Sequence, residues 1–407
     1  MKLLVVSQYF YPENFRINEV VTSLVERGIQ VDVLTGKPNY PEGIISSGYC
    51  WWDCCKETFK GATIFRVPII PRFKGSAINL TLNYLSYVMS ATIFGAWMLR
   101  RRQYDLIFVY APSPILQAIP AIFISILKRC GVVLWVQDLW PDSLVATGYI
   151  KRAWLLNFVG SIVAWIYRKV DLILVQSSAF IQKIQEIAPS KKIIYYPNSV
   201  DPSFSQNSET ILTLPDEIKW SNGFNILFAG NLGKAQALEV ILDAAQLLLH
   251  IPQIRFFILG NGSRWEWMCQ EVKVKEIVNV RMLGRFSPEM MPRFMQKADA
   301  LLVTLADQEV LGYTVPNKVQ AYLASGRPII ACLNGEGANI VEEAVAGVTA
   351  VAGDANGLVK GIIKLFNMSE EERLLLGENG KRYFMQNFEH EQLVDKLVEH
   401  LKLELNP

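Results

Sequence analysis

"FNILFAGNLGKAQALEVILDAAQLLLH", Phe224 to His250, decides the fold. Its first six residues form a nearly unbroken apolar run, as expected of a parallel strand covered on both faces. A turn with Gly230 and Gly233 follows, and then a helical run from Leu238 to His250. Strand, glycine turn and helix in this order make half of a βαβ unit, and a parallel partner strand has to come next. It does, in "IRFFILGNG" (Ile254–Gly262), followed by "NVRMLGR", "ADALLVTLA", "RPIIACL" and "VTAVAG".

The same alternation fills the first half of the chain. "LLVVSQ" (Leu3–Gln8) is a short apolar strand. Ile17, Val20, Val21, Leu24 and Val25 then line one face of a helix that stops at Gly28. "QVDVLTG", "ATIFRVP", "DLIFVYA", "VVLWVQD", "DLILVQS" and "KIIYYP" are the later strands. Beyond Pro197 the pattern breaks into a stretch rich in Pro, Ser, Asn and Asp, which reads as an interdomain segment. The expected fold is α/β: two Rossmann-like domains facing each other across a cleft, with C-terminal helices packing back toward the first. Residues 1–197 form the first domain, 198–222 a linker, 223–385 the second domain and 386–407 a C-terminal helix. The run from Glu370 to Leu405 reads as helical throughout.

Size and composition bound the function. The chain has 407 residues, 51% hydrophobic and 19% charged, with a net charge of +2, so nothing in its charge favours a nucleic acid. Of the six cysteines only Cys50, Cys54 and Cys55 cluster, and the three histidines all lie beyond residue 249, so zinc lacks a ligand set. Unpatterned cysteines fit a reducing compartment. The opening "MKLLVV" has too short an apolar run for a signal peptide, so the expected location is the cytosol.

Three runs in the first half carry no charge: Ile78–Leu99, Ile115–Leu127 and Ala153–Tyr167. Basic groups border them: Arg100-Arg101-Arg102, Lys128-Arg129, Lys151-Arg152 and Arg168-Lys169. Helices packed on a sheet, helices docked on an anionic membrane surface, and a span are all open readings. A span at Ile78–Leu99 conflicts with topology. It would put "LLVVSQ" and "DLIFVYA", expected in one sheet, on opposite sides of the membrane.

Chemistry is expected at the carboxyl ends of the strands. In the second half, three strand-to-helix joints carry basic or amide groups: Asn231 and Lys234 in "GNLGKAQ", Gly260, Asn261 and Gly262 followed by Arg264, and Asn317-Lys318 after Pro316. Each joint alone reads equally as a tight turn. Three together suit a diphosphate, which N–H donors and point charges would hold. None matches G-x-G-x-x-G or the Walker pattern, so nicotinamide and P-loop chemistry are poorly supported. The first half offers Glu13, Asn14 and Arg16, then Tyr40, then Gln137, Asp138 and Asp142, for a sugar or acceptor; each reads equally as a cap or surface group. No D-x-D occurs to hold Mg²⁺ on a sugar nucleotide, and no nucleophile–histidine arrangement is available.

"YFYPENFR", "VDVLTGKPNYPEG", "WVQDLWPDS", "PNSVDPSF", "FAGNLGKAQALE", "LGNG" and "VPNKVQAYLASGRPII" occur in order along almost the whole chain. Together they resemble the family-4 retaining glycosyltransferases of GT-B fold, within an O-antigen and capsule branch typified by N-acetyl-L-fucosamine transferase. The resemblance implies a hexosyltransferase-type enzyme that uses a UDP-sugar as co-substrate, with no metal or other cofactor. The second domain would bind the nucleotide sugar. The first would bind a lipid-linked (polyprenyl diphosphate) glycan at the cytoplasmic face of the inner membrane, with the protein attached peripherally.

Three departures from the family pattern change the expected site. The family's pair of glutamates falls at Tyr313 and Ala321. Donor contacts would therefore pass to the backbone N–H groups of Gly312, Tyr313, Thr314 and Val315, together with Asn317 and Gln320, with Lys318 and Arg285 on the diphosphate. Asn231 replaces an arginine, leaving Lys234 as the nearby cation. Gln137-Asp138 replaces a histidine, leaving Asp138 to position the acceptor hydroxyl or take its proton. A UDP-sugar 2-epimerase would need cleft carboxylates or histidines, and a catalytically inactive scaffold would explain the missing glutamates; both stay open.

Overall fold

The computed structural model describes residues 1–73, 76–146, 152–200, 220 and 222–405. Most of the expected linker, and Lys151 of the basic borders, lie outside the described residues. The chain divides into two units: Met1–Pro197 with Glu391–Pro407, and Asn198–His390.

The first unit is built on strands β1 (Lys2–Val6), β2 (Gln30–Gly36), β3 (Cys55–Phe59), β4 (Ala62–Val67), β5 (Leu106–Ala111), β6 (Gly131–Val136), β7 (Leu172–Val175) and β8 (Lys192–Tyr195). They lie in the order β3-β4-β2-β1-β5-β6-β7-β8. All pairs are parallel except β3 with β4. The sequence gives no sign of β3: "CKETF" is a short, mostly polar edge strand with only one face partly covered, where Phe59 packs on the core. The central strands are buried on both faces, as their apolar runs require.

One face of this sheet packs on the helix Arg16–Glu26 and on the last helix, His390–Leu403. From the last helix, Leu393, Val394, Leu397 and Leu401 enter the core around Val5, Phe108 and Trp135. Arg27 ties that helix down through Glu391 at 2.8 Å and Asp395 at 2.7 Å. The Glu370–Leu405 run is therefore two helices: Glu370–Asn387 stays with the second unit, and its successor belongs to the first.

The first apolar run forms the helix Ala77–Ser90, a π-helical turn at Ala91–Gly95 and a last turn at Ala96–Met98. The other two form helices Ala118–Lys128 and Ala153–Lys169. No helix among the described residues is long and apolar enough to cross a membrane.

In the second unit, β9 (Phe224–Ala229), β10 (Ile254–Leu259), β11 (Val280–Gly284), β12 (Ala300–Thr304), β13 (Ile329–Cys332) and β14 (Gly347–Ala350) are all parallel. Their order is β11-β10-β9-β12-β13-β14. This is the doubly wound pattern in which the chain reverses direction between its first and fourth strands, and ligands bind at the carboxyl ends of those two. The expected helix Leu238–His250 ends at Leu247.

Candidate functional site

Adjacent positions in the sheet bring distant residues together at the β9/β12 switch point. The chain leaves β9 at Gly230, whose backbone φ of +149° suits glycine. A Cβ there would lie 2.3 Å from Cε of Lys318, so the lysine side chain runs directly beneath the glycine turn. Lys318 comes from the second residue of the helix Asn317–Ser325, whose start no side chain caps. Its Nζ donates to Oε1 of Gln236 and sits 3.8 Å from the centre of the Phe228 ring. Burial pushes the lysine down to about 7, because a desolvated ammonium is disfavoured and one neutral acceptor does not offset the loss.

Beside this lysine a cavity of about 390 Å³ opens between Gly230, Asn231, Gly260, Asn261, Arg285 and Phe286. The two glycine turns touch: a Cβ on Gly260 would fall 1.7 Å from the Gly230 carbonyl oxygen. A Cβ on Gly262 would meet the Leu232 carbonyl at 2.5 Å. Asn261 turns its side-chain oxygen back onto the Gly262 N–H at 2.7 Å. Arg285 is exposed at the end of β11. The cavity thus joins backbone donors, two amides and a guanidinium, a set suited to phosphate oxygens.

Other expected donor contacts divide. Lys234 is exposed in a short turn, and Asn317 is exposed at the helix start. Gly312 packs against Gly335, where a Cβ would meet the Gly312 carbonyl at 2.1 Å. The Tyr313 hydroxyl bonds to Glu309, and that of Thr314 donates to the Leu311 carbonyl at 3.2 Å. Val315 is core, packed with Val319 and Tyr322. Gln320 is buried and donates to the Asn198 carbonyl at 2.9 Å, so it braces the start of the linker. Arg264 is engaged by Glu239 at 2.6 Å and by the Trp267 ring at 3.8 Å. Gln236 and Phe286 are additions to the site. Gln236 shows in sequence only as a polar residue in the β9 turn.

In the first unit, Glu13 is buried and accepts from the backbone N–H groups of Asn39 and Tyr40, each at 2.7 Å. Burial raises its carboxyl to about 7 against these bonds. It clamps two loops together. Tyr40 lies half-exposed in an aromatic cluster, 5.1 Å from Phe15 and 5.9 Å from Tyr9, with Arg72 5.0 Å from its ring centre. Gln137 is buried, and its carbonyl accepts from Gln176 at 2.9 Å. Its amide nitrogen has no hydrogen-bond partner among the described residues. Asp138 follows it, part-buried, and desolvation lifts its carboxyl to about 6. Arg16 lies 3.7 Å from Glu19. Asn14 and Asp142 are exposed. Near neutral pH, Asp138 is ionised yet basic enough to receive a proton.

Two family models match the chain: "Glycosyl transferase 4-like domain" over residues 14–199 and "Glycosyl transferases group 1" over residues 223–368. WcaI of Escherichia coli K12, a provisionally assigned colanic acid biosynthesis glycosyl transferase, is 25% identical over 352 residues, 80% of this chain and 82% of its own. A sucrose-phosphate synthase from Thermosynechococcus elongatus shares the fold at TM-score 0.73 and 16% identity, over 99% of this chain and 98% of that one. HepE of Anabaena, solved in complex with UDP, does so at TM-score 0.70 and 15% identity, over 99% and 100%. With two parallel-sheet units, each matched by its own glycosyltransferase model, the chain is a GT-B glycosyltransferase of the group 1, hexosyltransferase type.

Proposed function

We propose that the enzyme moves a sugar, with retention of anomeric configuration, from a UDP-sugar to a lipid-linked (polyprenyl diphosphate) glycan. The setting is cell-surface polysaccharide synthesis, of O-antigen or capsule, at the cytoplasmic face of the inner membrane. The observation that carries the reading is Lys318 threaded beneath Gly230 at the edge of the Asn231–Asn261–Arg285 cavity. The UDP complex of the Anabaena neighbour and the colanic acid assignment of the E. coli relative support it.

Breaking the bond at the anomeric carbon leaves negative charge on the diphosphate. Lys318, Arg285 and Lys234 stabilise that charge, helped by the uncapped helix start at Asn317, so the diphosphate needs no metal ion in this reading. An incoming anion also restores the proton that burial takes from Lys318. On the acceptor side, Asp138 orients the hydroxyl and accepts its proton. The test is turnover of purified Lys318→Ala enzyme with UDP-sugar and lipid acceptor. The expected loss is about a hundredfold or more; near-normal turnover removes Lys318 from the phosphate site.

A further inference from the structure

A face of the first unit, built from the three uncharged runs, has no part in the sugar-transfer site. The helix Ala77–Ser90, continued through Ala91–Gly95 to Met98, presents two stripes. Leu80, Asn83, Tyr87, Ala91 and Gly95 are buried, and a Cβ on Gly95 would lie 2.9 Å from the Leu34 side chain, so this stripe lies on β2. The opposite stripe is Ile78, Leu82, Leu85, Met89, Ile93 and Trp97, at 73, 45, 47, 64, 61 and 60% exposure. The π turn, with its longer repeat, keeps Ile93 and Trp97 in line with Met89. A surface helix normally carries polar or charged residues along its outer stripe. This one carries no charge, and the hydroxyls of Thr81 and Thr92 on that side are turned back onto the helix carbonyls of Ala77 and Val88.

The stripe has apolar neighbours. The helix Ala118–Lys128 packs against the π turn and exposes Phe123, Ile126 and Leu127. The helix Ala153–Lys169 packs beside it and exposes Trp154 and Phe158. None of these helices contains an aspartate or glutamate. Positive charge gathers at one edge. The Arg100 guanidinium lies 4.4 Å from the centre of the Trp97 ring, and Lys128 donates to the Arg100 carbonyl at 3.1 Å. The basic ends of two helices therefore meet, with Arg101 and Arg129 exposed beside them. No ion pair among the described residues engages any of the four.

We propose that this face docks on an anionic lipid bilayer. The apolar stripe and its neighbours enter the boundary between headgroups and acyl chains, while Arg100, Arg101, Lys128 and Arg129 meet lipid phosphates. Trp97 under Arg100 is an amphipathic pair suited to that depth. Charge argues against a second copy as the occupant. Two such faces in contact would bring basic clusters together with no carboxylate on the same helices to neutralise them. The proposal rests on the membrane setting given above and assigns the surface that achieves it.

Sedimentation of the full chain with vesicles tests this, using phosphatidylcholine alone and phosphatidylcholine mixed with phosphatidylglycerol. The wild type is expected to bind the mixed vesicles, less so as salt rises, and to bind the neutral ones weakly. Joint Ile93→Ser and Trp97→Ser substitution lowers the partition roughly tenfold or more. Arg100→Glu with Arg101→Glu lowers it about fivefold per residue on the mixed vesicles. All these side chains are exposed, so thermal unfolding and UDP binding stay unchanged and serve as controls. Failure of the wild type to bind mixed vesicles overturns the proposal, as does full binding by the Ile93/Trp97 variant. A dimer that Trp97→Ser dissolves, in a wild type that ignores vesicles, makes the occupant a second copy and also overturns it. Loss of UDP binding in every form, with vesicle binding intact, counts instead against the sugar-transfer reading.

Discussion

Lys318 shows how far a single residue was readable. Its place at a helix mouth, beside Asn317 and after Pro316, marked it in sequence as an anion ligand. That it lies under Gly230 and bonds to Gln236 was not readable, because the contact depends on β9 and β12 being neighbours in the sheet. Burial also separated residues that sequence grouped together: Gln320 turns inward to Asn198, and Glu13 spends its carboxylate on loop N–H groups. The lysine yields a pH prediction with a definite sign. Free Lys318 loses its proton near 7, whereas a bound diphosphate holds the proton on, so binding above that pH takes up a proton. UDP affinity should therefore fall as pH rises above about 7, by up to about tenfold per unit. Lys318→Met should flatten the dependence. Calorimetry in buffers of differing ionisation enthalpy reads the proton uptake directly.

At the scale of elements, all thirteen strands other than β3 were legible as runs, most clearly the central ones, because a strand buried on both faces must be apolar nearly throughout. The edge strand β3 escaped because only one of its faces is partly covered, and a mostly polar five-residue segment has no such signature. The break between the helices Glu370–Asn387 and His390–Leu403 escaped because both halves share a helical repeat. The joints after β9 and β10 were readable as glycine turns, but their mutual contact was not. Gly260 has a φ of +132° and lies against the Gly230 carbonyl, so Gly260→Ala introduces both backbone strain and a clash. It should cost about 2 kcal/mol or more, lowering the thermal midpoint by about 4–8 °C. Differential scanning calorimetry checks this, and an unchanged midpoint would show that the two turns do not need their close approach.

For the whole molecule, the two-unit plan followed from two runs of alternating elements on either side of residue 200. The return of the last helix to the first sheet followed only in outline, from the apolar stripe of Leu393, Val394, Leu397 and Leu401. Leu397 is fully buried there, so Leu397→Ala should destabilise the first unit by about 2–4 kcal/mol, readable as faster hydrogen exchange in β1 and β5. UDP affinity, a property of the other unit, should hardly change. The central claim is that the second unit holds a nucleoside diphosphate between its two glycine turns, Arg285 and Lys318. Calorimetric titration of UDP into wild-type and Arg285→Ala protein at constant pH tests it most directly. The account predicts one site per chain in the wild type and a tenfold or greater loss of affinity, about 1.4 kcal/mol, in the variant. Absence of binding to the wild type, or equal affinity in the two proteins, would contradict it.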